Sequence, residues 1–144
     1  MTPITEYDFE QIDTIIGWYQ GLDKGFNDID HLIYSRRKLS GLLVRLASYV
    51  GRLAKDAEAA EGKRKIKAHS LCQRYIDEGF SASAADKKAE SEIAEERKVE
   101  KDYIGRFKSG RLLYDSINQC LNSMAGEINY LREEKVSVNH RQTT

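Results

Sequence analysis

Apolar residues recur at every seventh position through two long stretches of this chain, and that period leaves few folds open. In the first stretch Leu32, Leu39, Leu46, Leu53 and Ala60 hold one heptad position, and Leu43, Val50 and Ala57 follow their partners by four residues. In the second, Tyr103, Gly110, Ile117, Met124 and Leu131 hold one position and Phe107, Tyr114, Leu121 and Ile128 the other. A seam repeating every 3.5 residues on average is the signature of helices wound against one another. Nothing later in the chain forbids helix, because the single proline, Pro3, lies at the extreme N-terminus. The predicted class is therefore all-α.

The residues between the seams read as a stop and a restart. In Asp77-Glu78-Gly79-Phe80-Ser81, Gly79 suits the left-handed conformation that ends a helix, and Ser81 or Ser83 suits the cap of the next one, with Asp86 near its positive end. A reversal at Gly79 sets Leu53 and Tyr103 at similar distances from the turn, so the two apolar halves meet in an antiparallel pair and the charged halves form a distal arm. The expectation is a single helical domain over 1–144, a long antiparallel helical hairpin of coiled-coil type that assembles into oligomers. Its parts are a short helix over 5–20, a first long helix over 30–77, a second over 82–134 and a tail over 135–144. Ile12, Ile15, Ile16 and Tyr19 give the short helix one apolar stripe, and Gly21 and Gly25 follow its end.

The eleven residues Leu39, Leu46, Leu53, Tyr103, Phe107, Tyr114, Ile117, Leu121, Met124, Ile128 and Leu131 form the expected core and oligomer seam. Such a seam is too extensive for a two-helix hairpin and one short helix to cover, which predicts a homo-oligomer. Gly110, on the seam, admits a close backbone approach, whereas Gly126 costs helix stability of about 1 kcal/mol relative to alanine.

No apolar run approaches the ~20 residues that span a bilayer, and the acidic start of the chain has neither region of a signal peptide. No membrane association and a cytoplasmic location are expected. Cys72 and Cys120 fit no metal-ligand spacing and read as reduced thiols. His31, His69 and His140 have no ligand companions. Gly105 and Gly110, followed by Arg111 and Leu112, have the glycine spacing of a P-loop without its lysine, its hydroxyl residue or a preceding strand. No catalytic residue, metal site or cofactor is expected.

The formal net charge is zero, but its distribution is uneven. Residues 1–29 hold one basic and six acidic side chains, net -5, whereas residues 30–75 hold eleven and four, net +7. Residues 81–134, with nine basic and eleven acidic, are net -2. The basic segment contains a cluster, Lys63, Arg64, Lys65 and Lys67, followed by His69, Arg74 and Tyr75. On a helix these cations can meet successive phosphates of a nucleic-acid strand, and Tyr75 or Phe80 can stack on a base. They can equally face the acidic run Glu90 to Glu96 across the hairpin, and composition does not choose between the two. Arg45 and Arg52 share a face beside the seam, where they can lie over the core, bind DNA, or face the acidic N-terminal helix across an oligomer contact. The last is favoured.

Over roughly residues 60–138, the arrangement resembles the recombination mediator UvsY of T-even bacteriophages and related small helical phage recombination accessory proteins. The resemblance rests on Ile66-Lys67-Ala68-His69 and Leu71, then Tyr75 and Gly79, then a long helix ending in an Ile-containing heptad run. The family's basic motif has a lysine and an arginine flanking the alanine, and His69 stands in the second place here. The resemblance implies a non-enzymatic homo-oligomer that binds single-stranded DNA, contacts the single-strand-binding protein covering it, and helps load a RecA-like recombinase. Its nucleic-acid-binding residues would be Lys63, Arg64, Lys65, Lys67, His69, Arg74 and Tyr75. The alternative reading is a helical protein-protein interaction factor, a scaffold or host-inhibitory phage protein, without DNA binding.

Overall fold

The computed structural model describes residues 3–142, which form four helices and no strand: α1 (Glu6–Gln20), α2 (Ile29–Asp77), α3 (Ala82–Glu92) and α4 (Ala94–Gln142). The start of α1 is fixed by a reciprocal cap. The Thr5 hydroxyl accepts from the Asp8 amide at 3.2 Å while the Asp8 carboxylate accepts from the Thr5 amide at 2.9 Å. Ile12 and Ile15 are buried along the expected stripe. Asp28 starts α2 one residue earlier than predicted, its carboxylate accepting from the His31 amide at 3.1 Å.

The turn after α2 follows the sequence closely. Gly79 has φ +101, the Phe80 amide donates to the Tyr75 carbonyl and the Gly79 amide to the Ile76 carbonyl, both at 3.0 Å. These are the two bonds of a Schellman motif, and the Tyr75 and Phe80 rings, 5.6 Å apart, supply its hydrophobic contact. Ser81 then caps α3, its hydroxyl accepting from the Ala84 amide at 3.2 Å.

Two boundaries differ from the prediction. The second long helix, expected without interruption over 82–134, breaks at Ile93, which has φ -106 and ψ 20 and whose carbonyl accepts from the Arg97 amide at the start of α4. The cause is a change of apolar spacing. Carried back from Phe107 and Tyr103, the heptads would turn Ile93, Ala89 and Asp86 inward, whereas Ala85, Ala89 and Ile93 are the buried residues and Asp86 is exposed. The break lets Ala85 replace a carboxylate in the core. At the other end, the expected tail is helical to Gln142, since no proline or glycine follows Gly126 and the basic His140 and Arg141 suit a helix C-terminus. Residues 143 and 144 of that tail, like residues 1 and 2 of the expected domain, lie outside the described residues.

Where a single domain is expected, the chain forms two compact units, with α2 and α4 each contributing to both. One takes the chain up to Tyr49 and again from Leu112 onward; the other is Val50–Arg111. In the first, Leu32, Ile128 and Leu131 form a core against which Trp18, Tyr19, Leu22, Phe26, Ile29 and Ile33 pack. Each such aliphatic side chain fully buried contributes on the order of 1.5–3 kcal/mol. Trp18 stacks on His31 with ring centroids 4.2 Å apart. Arg45 pairs with Asp8 at 2.9 Å, so the predicted contact between this arginine and the acidic N-terminal helix exists, but within one chain.

The Val50–Arg111 unit has a leaner core of Leu53, Ala60, Tyr75, Ala85, Ala89 and Ile93. Gly110 faces Val50 so closely that a Cβ there would lie 3.0 Å from Val50 Cγ2, the close approach expected of a seam glycine. Among the described residues, no helix is long and apolar enough to cross a membrane.

Candidate nucleic-acid interface

The seven residues singled out on α2 do not share one fate. Arg64 is largely buried and its Nε donates to the Glu100 carboxylate of α4. Lys67 donates from Nζ to Glu96 Oε1 at 2.6 Å. That lysine is the main reason Glu96 titrates below the ordinary glutamate range, with its position at the start of α4 adding a backbone hydrogen bond. The other oxygen of Glu96, Oε2, is buried without a partner, and Lys63 lines the same small cleft as Glu95 and Glu96. Lys65 pairs with Glu61 one turn away at 2.6 Å. Two of the four clustered cations thus face acidic residues of α4, as the acidic-partner reading of the cluster anticipates, and a third is tied to its own helix. Lys63 and His69 are exposed.

Tyr75 is buried. A stacking platform must present an open face, yet Tyr75 is 4% exposed. Its hydroxyl donates to the Glu92 carboxylate, which pushes the phenol pKa above its usual value. Arg74 and Lys88 lie 5.1 and 5.0 Å from its ring centroid, and Lys88 is 4.3 Å from that of Phe80. The Tyr75 side chain therefore holds the α2–α3 turn together rather than offering itself to a ligand. Arg74, exposed, reaches Glu78 at 3.7 Å. Nearby, Cys72 Sγ donates to Asp86 Oδ1 at 3.3 Å, and this contact raises the thiol pKa.

The contact pairs explain why the cluster closes on itself. Along α2 the partners run Arg64, Lys67, Tyr75 while their acidic counterparts run Glu100, Glu96, Glu92. Numbers rise on one side and fall on the other, so Arg64, Lys67 and Tyr75 each meet a carboxylate across the unit.

Of the seam residues, Leu39, Leu46, Leu53, Ile117, Leu121, Met124, Ile128 and Leu131 are buried in the single chain, and Tyr103, Phe107 and Tyr114 are half-buried. The seam as such does not require a second chain. What remains uncovered lies elsewhere: Leu112 at 68% and Tyr130 at 63% exposure, with Ser116, Gln119, Ser123 and Gly126 between them on one face of α4.

Residues 97–111 of α4 are a cationic stretch that the segment averages hid. They contain Arg97, Lys98, Lys101, Arg106, Lys108 and Arg111 against Glu100 and Asp102. The net -2 of residues 81–134 comes from acidic stretches on either side. A shorter counting window would have exposed it.

No protein-family model, curated protein or solved structure matches the chain.

Proposed function

We propose that this chain is a non-enzymatic accessory protein of phage recombination or replication that binds single-stranded DNA as a homo-oligomer. In this reading its long helices pair as an antiparallel coiled coil, and it helps load a RecA-like recombinase on DNA covered by single-strand-binding protein. The observation that carries the DNA reading is a segregation of charge. The Val50–Arg111 unit has fifteen basic and twelve acidic side chains, net +3, and the rest of the chain eight and eleven, net -3. Within that unit Glu61, Glu78, Glu90, Glu96, Glu100 and Asp102 are each held by a cation, while Arg52, Lys55, Lys63, Lys87, Lys98, Lys101, Lys108 and Arg111 are exposed and form no ion pair among the described residues. Many weak phosphate contacts repeated over several subunits give useful affinity without a deep site. The recombinase and the single-strand-binding protein enter through the resemblance alone.

The uncharged face of α4 from Leu112 to Tyr130 supports the oligomer and also favours a second reading, a helical protein-interaction factor. A solvated face in a chain with 32% charged residues would ordinarily carry charge. Fluorescence anisotropy with labelled single-stranded and duplex DNA across a salt titration, with light scattering for mass, separates the two. Salt-sensitive binding to the single strand by a species heavier than 16.5 kDa is expected. Absence of such binding at low ionic strength leaves the interaction reading in its place.

A further inference from the structure

Resting on the single-stranded DNA reading above, we infer that the phosphate-contacting surface is the outer face of α4 formed by Lys98, Lys101, Lys108 and Arg111, and not the cluster on α2. The argument is one of counter-charge. Both carboxylates within residues 97–111 are already neutralised, Glu100 by Arg64 and Asp102 by Arg106 at 3.1 Å, and Arg97 is paired with Glu90. Lys98, Lys101, Lys108 and Arg111 are all exposed and have no ion pair among the described residues. No unneutralised acid lies between them.

Their spacing aligns them. At 3.6 residues per turn, Lys101 and Lys108 are about 20° apart around the helix, with Arg111 about 60° to one side and Lys98 about 60° to the other. From first to last they span about 20 Å of helix axis. A stacked strand with one phosphate per ~3.4 Å presents about six phosphates over that length, enough to engage every cation. Ile104, half-buried between Lys101 and Lys108 on the same face, adds apolar surface. Unpaired bases can lay their faces on such surface, whereas in a duplex those faces are stacked inside the helix.

The test compares the wild type with two four-cation variants of equal charge, using the full chain and labelled single-stranded and duplex oligonucleotides. One variant is K98A/K101A/K108A/R111A. The other is R52A/K55A/K63A/K87A, which removes exposed, unpaired cations of the same unit, including one from the α2 cluster. Alanine is the best helix former, so circular dichroism should show unchanged helicity in both. The α4 variant is expected to lower the slope of log K against log salt by about 2.8, four contacts at ~0.7 each, while the second variant changes it little. Charge reversal in K101E/K108E, which leaves most of α4 untouched, is expected to abolish binding and provides the readout should the fourfold variant fold poorly. Wild-type binding that survives the α4 substitutions overturns this assignment and leaves the DNA reading standing. Equal losses in both fourfold variants overturn it in favour of a diffuse field. Preference for duplex overturns the choice of strand. A wild type that does not bind overturns the DNA reading itself.

Discussion

Alanine at Gly110 should behave unlike alanine at the chain's other helical glycines, and the difference measures how tightly α2 and α4 approach within the Val50–Arg111 unit. Replacing a mid-helix glycine by alanine gains about 1 kcal/mol of helix propensity. At Gly105 and Gly126 nothing lies within 4 Å of the added Cβ, so each substitution should stabilise by about 0.5–1 kcal/mol. At Gly110 the same methyl meets Val50 Cγ2 at 3.0 Å and Leu53 Cδ1 at 3.7 Å. Carbon atoms prefer roughly 3.5–4.0 Å, and overpacking of this kind costs about 1–3 kcal/mol. The propensity gain is thus offset or reversed, and Gly110→Ala should come out neutral to about 2 kcal/mol destabilising. Urea denaturation at one fixed protein concentration provides the stabilities, since an oligomer's stability varies with concentration. A Val50→Ala background removes the offending methyl, so Gly110→Ala should recover its gain there, a coupling of about 0.5–3 kcal/mol. If Gly110→Ala stabilises as much as Gly105→Ala, or if the coupling to Val50 is zero, the close approach is wrong.

Two predictions concern pH. The Thr5 amide, foremost, and Arg45 hold the Asp8 carboxyl below its unfolded value of 3.8, so its contribution to stability is present above that pH and is lost as pH falls through the lower folded value. Acid titrations of stability should therefore show a smaller loss below pH 3.8 in Asp8→Asn than in the wild type. Burial, reinforced by Glu127, pushes the Tyr19 phenol from 10.0 up to about 12, so its contribution is present below pH 10.0 and is lost as pH rises towards about 12. Tyr19→Phe should lack that alkaline increment, and an identical alkaline loss in both proteins would contradict the assignment.

The helices were legible because their signals are local or periodic. Gly79 and Ser81 specify a turn through conformations and bonds available within a few residues, and the seams repeat for as long as packing demands it. The break at Ile93 was not legible for the opposite reason. No glycine or proline marks it, and its cause is a change in the spacing of small residues, Ala85 and Ala89, whose burial becomes clear only beside the partner helix. The helical continuation past Leu131 was hidden too, because reading helix from an apolar stripe stops where the stripe stops, although the backbone need not. The extent to which the single chain covers its own seam was hidden as well. Counting seam residues said how much apolar surface existed but not how much α1 would cover, and Tyr19, Trp18 and Ile12 turn out to cover a good deal.

Density of charge along a sequence differs from density on a surface. Lys63, Arg64, Lys65 and Lys67 crowd within five positions. Successive helical residues point about 100° apart, so crowding in sequence scatters them around the helix. Arg64 and Lys67 then meet the carboxylates of α4, Lys65 meets Glu61, and only part of the cluster reaches solvent uncommitted. On α4 the opposite holds. Lys98, Lys101, Lys108 and Arg111 are dilute in sequence and interleaved with acids, yet intervals of three and seven return them to one side. The interleaved acids are spent on Arg64 and Arg106. A polyanion responds to the charge left after such internal pairing, and residues 97–111 leave Lys98, Lys101, Lys108 and Arg111 uncommitted although residues 81–134 as a whole are net -2.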